Sequence, residues 1–255
     1  MSGEDRYDGL EYWGPYSNDA IDAVLAASSL DETTLVLDVG CGRGALLARA
    51  AQNHRARVAG IDASPEAIAR ARELFEATPN APRADACLHV AAFDDAAVDL
   101  VLRAHGRAAL VVWIGGPRFG DDAGSIDATV AALDRLRAPS GSIVTGAPYW
   151  RHLPPAEYFE HTGLPPDALD RREDLVAALA VRGLRPAQSI ESDRAAWVRF
   201  EDTLVETARR RAARDDSAAA EADLARRERW AAAQHRWGID AMTFVIDRFA
   251  AAIPS

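Results

Sequence analysis

Short apolar runs separated by stretches of helical periodicity mark most of this chain. Uninterrupted apolar residues predict strands buried on both faces at Leu35–Val39, 58–61, 86–92, Ala108–Ile114 and 142–145, with two more at 185–190 and 241–246. Between them, apolar positions recur at helical spacing over 18–28, 45–53, 65–77, 94–105, 125–137 and 171–182. Ala97, Val98, Val101 and Leu102 carry that spacing in the fourth of these helices. Ser64 and Pro65 read as an N-cap and first helical residue. The alternation of strand and helix predicts an α/β fold with a mostly parallel sheet. A long helical insertion, 193–235, separates the last two strands. Gly115 to Asp122, after the fourth strand, is expected to be a flexible loop at the carboxyl end of the sheet, where open α/β folds bind ligands.

The first strand runs into the decapeptide Leu35 to Gly44, LVLDVGCGRG. Gly40, Gly42 and Gly44 permit a sharp turn and close approach of a ligand to the backbone. The helix that follows directs its free N–H groups and positive dipole end at that ligand, an arrangement suited to a carboxylate. Gly40, Gly42 and Ala45 also satisfy the loose dinucleotide fingerprint. Asp38 separates the alternatives, because an anion two residues before the first glycine would face pyrophosphate badly but suits an α-ammonium group. Asp62 ends the second strand, where a carboxylate can accept hydrogen bonds from both hydroxyls of a ribose. An α-amino acid joined to a nucleoside meets all these demands, as S-adenosyl-L-methionine does.

Asp38, Gly40, Gly42 and Gly44 complete the motif D-x-G-x-G-x-G, and here the sequence resembles the class I S-adenosylmethionine-dependent methyltransferases. The resemblance implies a single-domain, three-layer Rossmann-like fold with a seven-stranded, mostly parallel sheet and the insertion between strands six and seven. It implies that Cys41 in the glycine turn and Ala63 beside Asp62 also line the cofactor site, and that an acid after strand three, Asp94 or Asp95, meets the adenine amino group. The segment Gly146 to Trp150 continuing into Arg151, together with Trp13-Gly14-Pro15 and the stretch from Trp197 to Glu201, is similar to a mostly uncharacterised bacterial branch of these enzymes.

Composition narrows the partners. At 255 residues the chain suffices for one sizeable core, read as a single domain with an N-terminal aromatic arm, and no apolar run is long enough to cross a bilayer. The first residues lack a signal-peptide core, which points to the cytoplasm. Two cysteines, Cys41 and Cys87, exclude a disulfide framework or a cysteine-rich zinc site, and no metal is expected. A net charge of −10 argues against a broad phosphate-binding surface and for a small-molecule acceptor. The arginines at 209–211 and 226–229 are interleaved with acids and read as a charged helix face. A second copy of the chain is the macromolecular partner left open.

Methyl transfer is an in-line displacement that asks mainly for alignment and exclusion of water. His152, beside Tyr149 and Trp150 after strand five, is the candidate proton acceptor, with Tyr149 second and His105 and His161 behind. Trp13, Tyr16, Arg118, Phe119 and Trp150 are the candidate substrate contacts. The aromatics Trp197, Phe200, Trp230 and Trp237 suggest that the insertion covers the substrate opening. A protein or RNA methyltransferase and a non-catalytic cofactor- or partner-binding subunit remain as alternatives.

Overall fold

Seven strands form one sheet in the order β3-β2-β1-β4-β5-β7-β6. In this computed structural model, residues 7–79, 81–83, 87–120, 124–215 and 217–251 are described; the expected first residue of strand three, Ala86, and the end of the predicted loop, Asp121 and Asp122, lie outside them. The strands are β1 Leu35–Val39, β2 Arg57–Asp62, β3 Leu88–Val90, β4 Ala108–Ile114, β5 Arg137–Trp150, β6 Leu184–Glu191 and β7 Met242–Ala251. The helices are α1 Asn18–Ala26, α2 Ala45–His54, α3 Pro65–Ala77, α4 Asp95–His105, α5 Ile126–Leu136, α6 Ala156–Thr162, α7 Arg172–Ala180, α8 Arg194–Ala212 and α9 Ala218–Ala233. A π-helical turn, Gln234–Gly238, and one last helical turn, Ile239–Ala241, follow. β1 pairs in parallel with β2 and β4, β2 with β3, and β4 with β5.

The chain separates into two compact units. One holds Asn18–Ala147, Arg172–Ile190 and the chain from Ile246 onward, and contains most of the sheet. Its core forms because every residue of β1 is buried, the four apolar ones and Asp38 alike, as a strand covered on both faces requires. Leu35, Leu37 and Val39 join Val98 and Val101 of α4, Leu133 and Leu136 of α5, and Leu175 and Leu179 of α7 in one cluster. Val36 and Asp38 take the opposite side of the pleat, where α2 packs against β1 and β2. Helices thus cover both faces of the sheet. The buried carboxylate of Asp247 on β7 receives both Arg172 Nε and Nη2, at 2.8 and 2.6 Å, and fixes the start of α7.

β5 differs most from expectation. Pro139-Ser140-Gly141 reads as a turn before a short strand, yet these residues form a bulge inside a fourteen-residue strand. Ala108 pairs with Arg137 and Leu110 with Ser142, so the three extra residues on β5 arch out of register. The Arg137 guanidinium fills the arch, its Nη1 donating to the carbonyls of Ala138, Pro139 and Gly141 at 3.0, 2.9 and 3.2 Å. A side chain satisfies backbone acceptors that a ladder would otherwise have used.

The second unit comprises the N-terminal arm up to Ser17, Pro148–Arg171 and Glu191–Val245. Here the predicted insertion becomes the antiparallel pair α8 and α9, laced by Arg209 to Glu228 at 2.8 Å, Arg211 to Asp223 at 3.6 Å and Trp230 Nε1 to Glu201 at 3.4 Å. The arm is tied to α8 by Thr207 Oγ1, which donates to the Asp8 carbonyl at 2.6 Å. Helix α6 was not anticipated. Glu157 in its first turn, His161 in its last and the left-handed Gly163 behind it are the signals that mark it.

Candidate functional site

The glycine turn lies at the carboxyl end of β1, beside the point where strand order reverses between β1 and β4. It is folded onto the end of β2, with the N–H groups of Gly40 and Cys41 both donating to the Ile61 carbonyl, at 2.9 and 3.0 Å. Gly40, Gly42 and Gly44 all adopt positive φ, at 78°, 51° and 76°. A Cβ on Gly40 would meet Gly116 Cα at 2.8 Å and Pro117 Cδ at 2.9 Å. The turns after β1 and β4 therefore touch backbone to backbone, and Gly116 is the unforeseen partner of the motif. Gly44 serves both as the left-handed cap of α2 and as the place where α3 comes close, since a Cβ there would lie 3.1 Å from Ala71.

Asp62 is held from both sides. Its Oδ2 accepts from Gly42 N at 2.8 Å and its Oδ1 from Ser64 N at 2.9 Å, so the carboxylate bridges the glycine turn and the start of α3. Each oxygen keeps a lone pair for a further donor. Ser64 caps α3 as predicted, its hydroxyl accepting from Ala67 N at 3.1 Å. Ala63 is exposed next to it. α2 begins without a side-chain cap, and helix geometry leaves the N–H groups of Ala45, Leu46 and Leu47 without intrahelical acceptors.

Asp38 is the electrostatic anomaly. It is 6% exposed, and among the described residues no hydrogen bond to its carboxylate is made. Burial, reinforced by the nearby charge of Asp62, pushes its carboxyl up to about 7. A buried, unpaired carboxylate is costly unless a cation joins it. Cys41 is buried beneath the turn, its thiol pushed well above the usual range by burial and by Asp38 and Asp62. A Cβ on Gly60 would come within 2.8 Å of its sulfur, so Gly60 makes room for this seat. Cys41 shapes the turn from below.

Asp94 and Asp95 divide between two tasks. Asp94 is the N-cap of α4, Oδ1 accepting from Ala97 N at 2.9 Å, while Asp95 pairs on the surface with Arg135 at 2.6 Å. The segment after β4, expected to be a flexible loop, is instead tied down. Gly115 N donates to the Gly146 carbonyl at 2.9 Å, Trp113 Nε1 to Pro117 O at 2.9 Å, Phe119 N to Thr129 Oγ1 at 3.1 Å and Gly120 N to Phe93 O at 2.8 Å. Phe119 packs edge-on against Phe93 with centroids 5.3 Å apart, and Arg118 lies 5.8 Å from the Trp113 ring. The loop is anchored because Phe119 packs against the core.

The remaining sequence candidates belong to the helical unit, except His105, which lies in the unit that holds most of the sheet. Trp13 stacks on Tyr7 at 4.7 Å, and Tyr16 lies between Tyr12 and Phe244 at 5.0 and 5.4 Å. Tyr149 is buried. Trp150 packs edge-on against Tyr158 and Phe159, and its Nε1 donates to Pro166 O at 3.2 Å. The His152 side chain is exposed, and its backbone N–H donates to the Ala241 carbonyl at 3.3 Å. His161 Nδ1 meets Glu157 O at 2.7 Å, and His105 pairs with His89, their Nε2 atoms 2.8 Å apart. Glu201 escaped the sequence reading: it is buried, one oxygen facing the Trp230 indole and the other without a partner, and burial pushes its carboxyl up to about 7. One Glu among the three acids of an amphipathic helix gives no signal of burial.

Comparison with known proteins places these observations in a family context. Residues 36–112 match the family model described as a methyltransferase domain. No curated protein matches the sequence. Among solved structures, a SAM-dependent methyltransferase from Geobacter sulfurreducens in complex with S-adenosyl-L-homocysteine is 22% identical with a TM-score of 0.79, over 97% of this chain and 96% of that one. One from Thiobacillus denitrificans, also with S-adenosyl-L-homocysteine, is 20% identical with a TM-score of 0.80, over 98% and 97%. YjhP from E. coli is 21% identical with a TM-score of 0.78, over 97% and 98%. The chain thus has the fold of these S-adenosylmethionine-dependent methyltransferases, and its residues 36–112 are similar to a methyltransferase domain.

Proposed function

We propose that this protein transfers the methyl group of S-adenosyl-L-methionine to an oxygen or nitrogen of a small-molecule acceptor, by in-line displacement, with both units serving one methyltransferase. The observation that carries the reading is Asp38, a buried carboxylate without a partner among the described residues, at the strand end that opens the glycine turn. The residues present fit the cofactor. Asp38 would take its α-ammonium group, the first N–H groups of α2 its carboxylate, and the remaining lone pairs of Asp62 its ribose hydroxyls. Asp94, with one oxygen engaged in capping, has the other for the adenine amino group. Gly40, Cys41, Gly42, Gly44 and Ala63 shape the surface between them. The structural relatives from Geobacter and Thiobacillus were crystallised with S-adenosyl-L-homocysteine, which supports this assignment.

Bound there, the cofactor supplies a methyl group already activated on a sulfonium. The chain's own task is to orient the acceptor, exclude water and hold one proton. We assign the proton to His152, whose exposed imidazole makes no hydrogen bond among the described residues, with Tyr149 as second candidate. Trp13, Tyr16, Arg118, Phe119 and Trp150 are assigned to acceptor contact. The charge of −10 supports a small acceptor over nucleic acid.

Calorimetric titration with S-adenosyl-L-methionine and S-adenosyl-L-homocysteine tests the cofactor assignment, and lack of binding by both removes it. Incubation with methyl-labelled cofactor and a panel of phenols, hydroxy acids and amines should transfer label to one class. Label transferred instead to RNA or to protein would replace the acceptor assignment while leaving the cofactor site intact. His152→Ala should lower kcat at least tenfold with unchanged cofactor affinity; an unchanged kcat refutes its role.

A further inference from the structure

We propose that the helical unit holds a binding site for an organic anion, a flat-ringed molecule carrying a carboxylate or phosphate, in the cavity between α6 and α9. The cavity measures about 660 Å³, within the range of small-molecule sites, and is lined by Glu160, His161, Arg226, Arg227, Arg229 and Trp230. All of it belongs to the unit built from 148–171 and 191–245, so the inference does not rest on the cofactor assignment.

The charge of this cavity follows from how α9 is paired. In sequence its arginines alternate with acids and look neutralised, but helical spacing distributes the two signs to different neighbours. Glu228 is taken by Arg209 of α8 at 2.8 Å, and Asp223 is shared by Arg211 of α8 at 3.6 Å and by Arg226. Arg229 has no partner among the described residues. Arg226, Arg229 and Trp230 lie three and four positions apart and so share a helix face. Three guanidiniums line the cavity opposite the carboxylate of Glu160; Arg226 is shared with Asp223 and Arg227 acts on the buried Glu201, so Arg229 brings the uncompensated positive charge. Guanidinium groups are suited to carboxylate and phosphate by their paired N–H donors.

The aromatic wall is braced. Trp230 is half-buried and its indole N–H points to Glu201, which fixes the plane of the ring. His161 is held by the Glu157 carbonyl through Nδ1 and lies edge-on to Trp237 at 5.5 Å, which leaves its Nε2 for a ligand. An aromatic or heteroaromatic ring with one anionic group would lie against Trp230 and place its charge at Arg229 and Arg226.

The test is titration of the full-length protein with 1-naphthyl phosphate and 2-naphthoate, with neutral 2-naphthylmethanol as control, followed by calorimetry and by the indole N–H signals in two-dimensional NMR. Both anions should bind and shift the Trp230 indole signal, assigned with Trp230→Phe, and the alcohol should bind at least tenfold more weakly. Arg229→Gln, at an exposed position, should keep the thermal midpoint and the affinity for S-adenosyl-L-homocysteine yet weaken 1-naphthyl phosphate about tenfold. Equal binding of the alcohol, an unmoved Trp230 signal, or an Arg229→Gln variant that binds like the parent overturns the proposal. A failure of S-adenosyl-L-homocysteine to bind would overturn the cofactor assignment and leave this site standing.

Discussion

At the scale of single residues, Asp38 connects stability to binding. Its carboxyl titrates near 7 in the folded protein against an ordinary 3.8, so the folded state binds the extra proton between those values. Any stability held with the protonated form is fully present below pH 4 and is lost as pH rises to about 7. Asp38→Asn removes that loss, and its advantage over the parent should grow by roughly 2 to 3 kcal/mol between pH 5 and pH 8. Chemical denaturation at the two pH values measures it. The same variant should bind S-adenosyl-L-homocysteine at least a hundredfold more weakly, since a neutral amide offers no charge to an ammonium group. In the parent, the cation must displace a proton below pH 7, so affinity should fall about fivefold from pH 7 to pH 6, with net proton release seen by calorimetry in buffers of different ionisation enthalpy. An affinity that is flat across this range would disconnect Asp38 from the ligand. Glu201 gives an independent check on the sign: its carboxyl is also raised to about 7, and Glu201→Gln, which keeps an acceptor for the Trp230 indole, should stabilise the protein more at pH 8 than at pH 5.

At the scale of elements, the sequence was legible wherever a local signal decides the structure. β1, α3 and β4 have the expected bounds because an apolar run, a Ser-Pro cap and a buried strand are each specified within a few residues. Asp38, the three turn glycines and Asp62 were legible for the same reason. What could not be read depends on contacts distant in sequence. The arch at 138–141 is stable because Arg137 fills it, and Pro-Ser-Gly alone reads as a turn. The loop after β4 reads as mobile from its glycines, whereas Thr129 and Phe93 anchor it. Gly116 is the sharpest case. A Cβ there would sit 2.5 Å from the Val39 carbonyl and 2.5 Å from Trp113 Cδ1, while at Gly106, with φ of 79°, nothing lies within 4 Å. Gly106→Ala, at φ 79° and ψ −163°, a conformation essentially reserved for glycine, should therefore cost only the backbone penalty, about 1–3 kcal/mol, with unchanged cofactor affinity. Gly116→Ala must move backbone against the glycine turn, and should both destabilise by roughly 1–3 kcal/mol and weaken S-adenosyl-L-homocysteine at least fivefold. Equal affinities of the two variants for S-adenosyl-L-homocysteine would show that the β1 and β4 turns are not coupled.

At the scale of the whole molecule, each unit is assembled from separated segments, and the chain passes between them before α1, within β5, before α7, at the end of β6 and within β7. A ligand of the glycine turn should reveal itself through the distribution of its effect on backbone opening. The amides that fold the turn onto β2, those of Gly40 and Cys41 on Ile61 O and that of Gly42 on Asp62, exchange with solvent only when this turn opens. A ligand that binds the closed turn alone, at a hundred times its dissociation constant, stabilises it by about 2.7 kcal/mol and should slow those amides about a hundredfold. The amides of Arg214 and Asp215, which donate to Arg211 O in the short connection between α8 and α9, report on the helical unit. They belong to a helix end whose opening does not involve the glycine turn, and their exchange should be unchanged by S-adenosyl-L-homocysteine. The order should reverse with 1-naphthyl phosphate, whose cavity is bounded by α9: the indole and backbone signals near Trp230 should respond while those of Gly40 and Gly42 do not. Hydrogen exchange that slows the glycine turn with both ligands, or with neither, would refute the assignment of two separate sites to the two units.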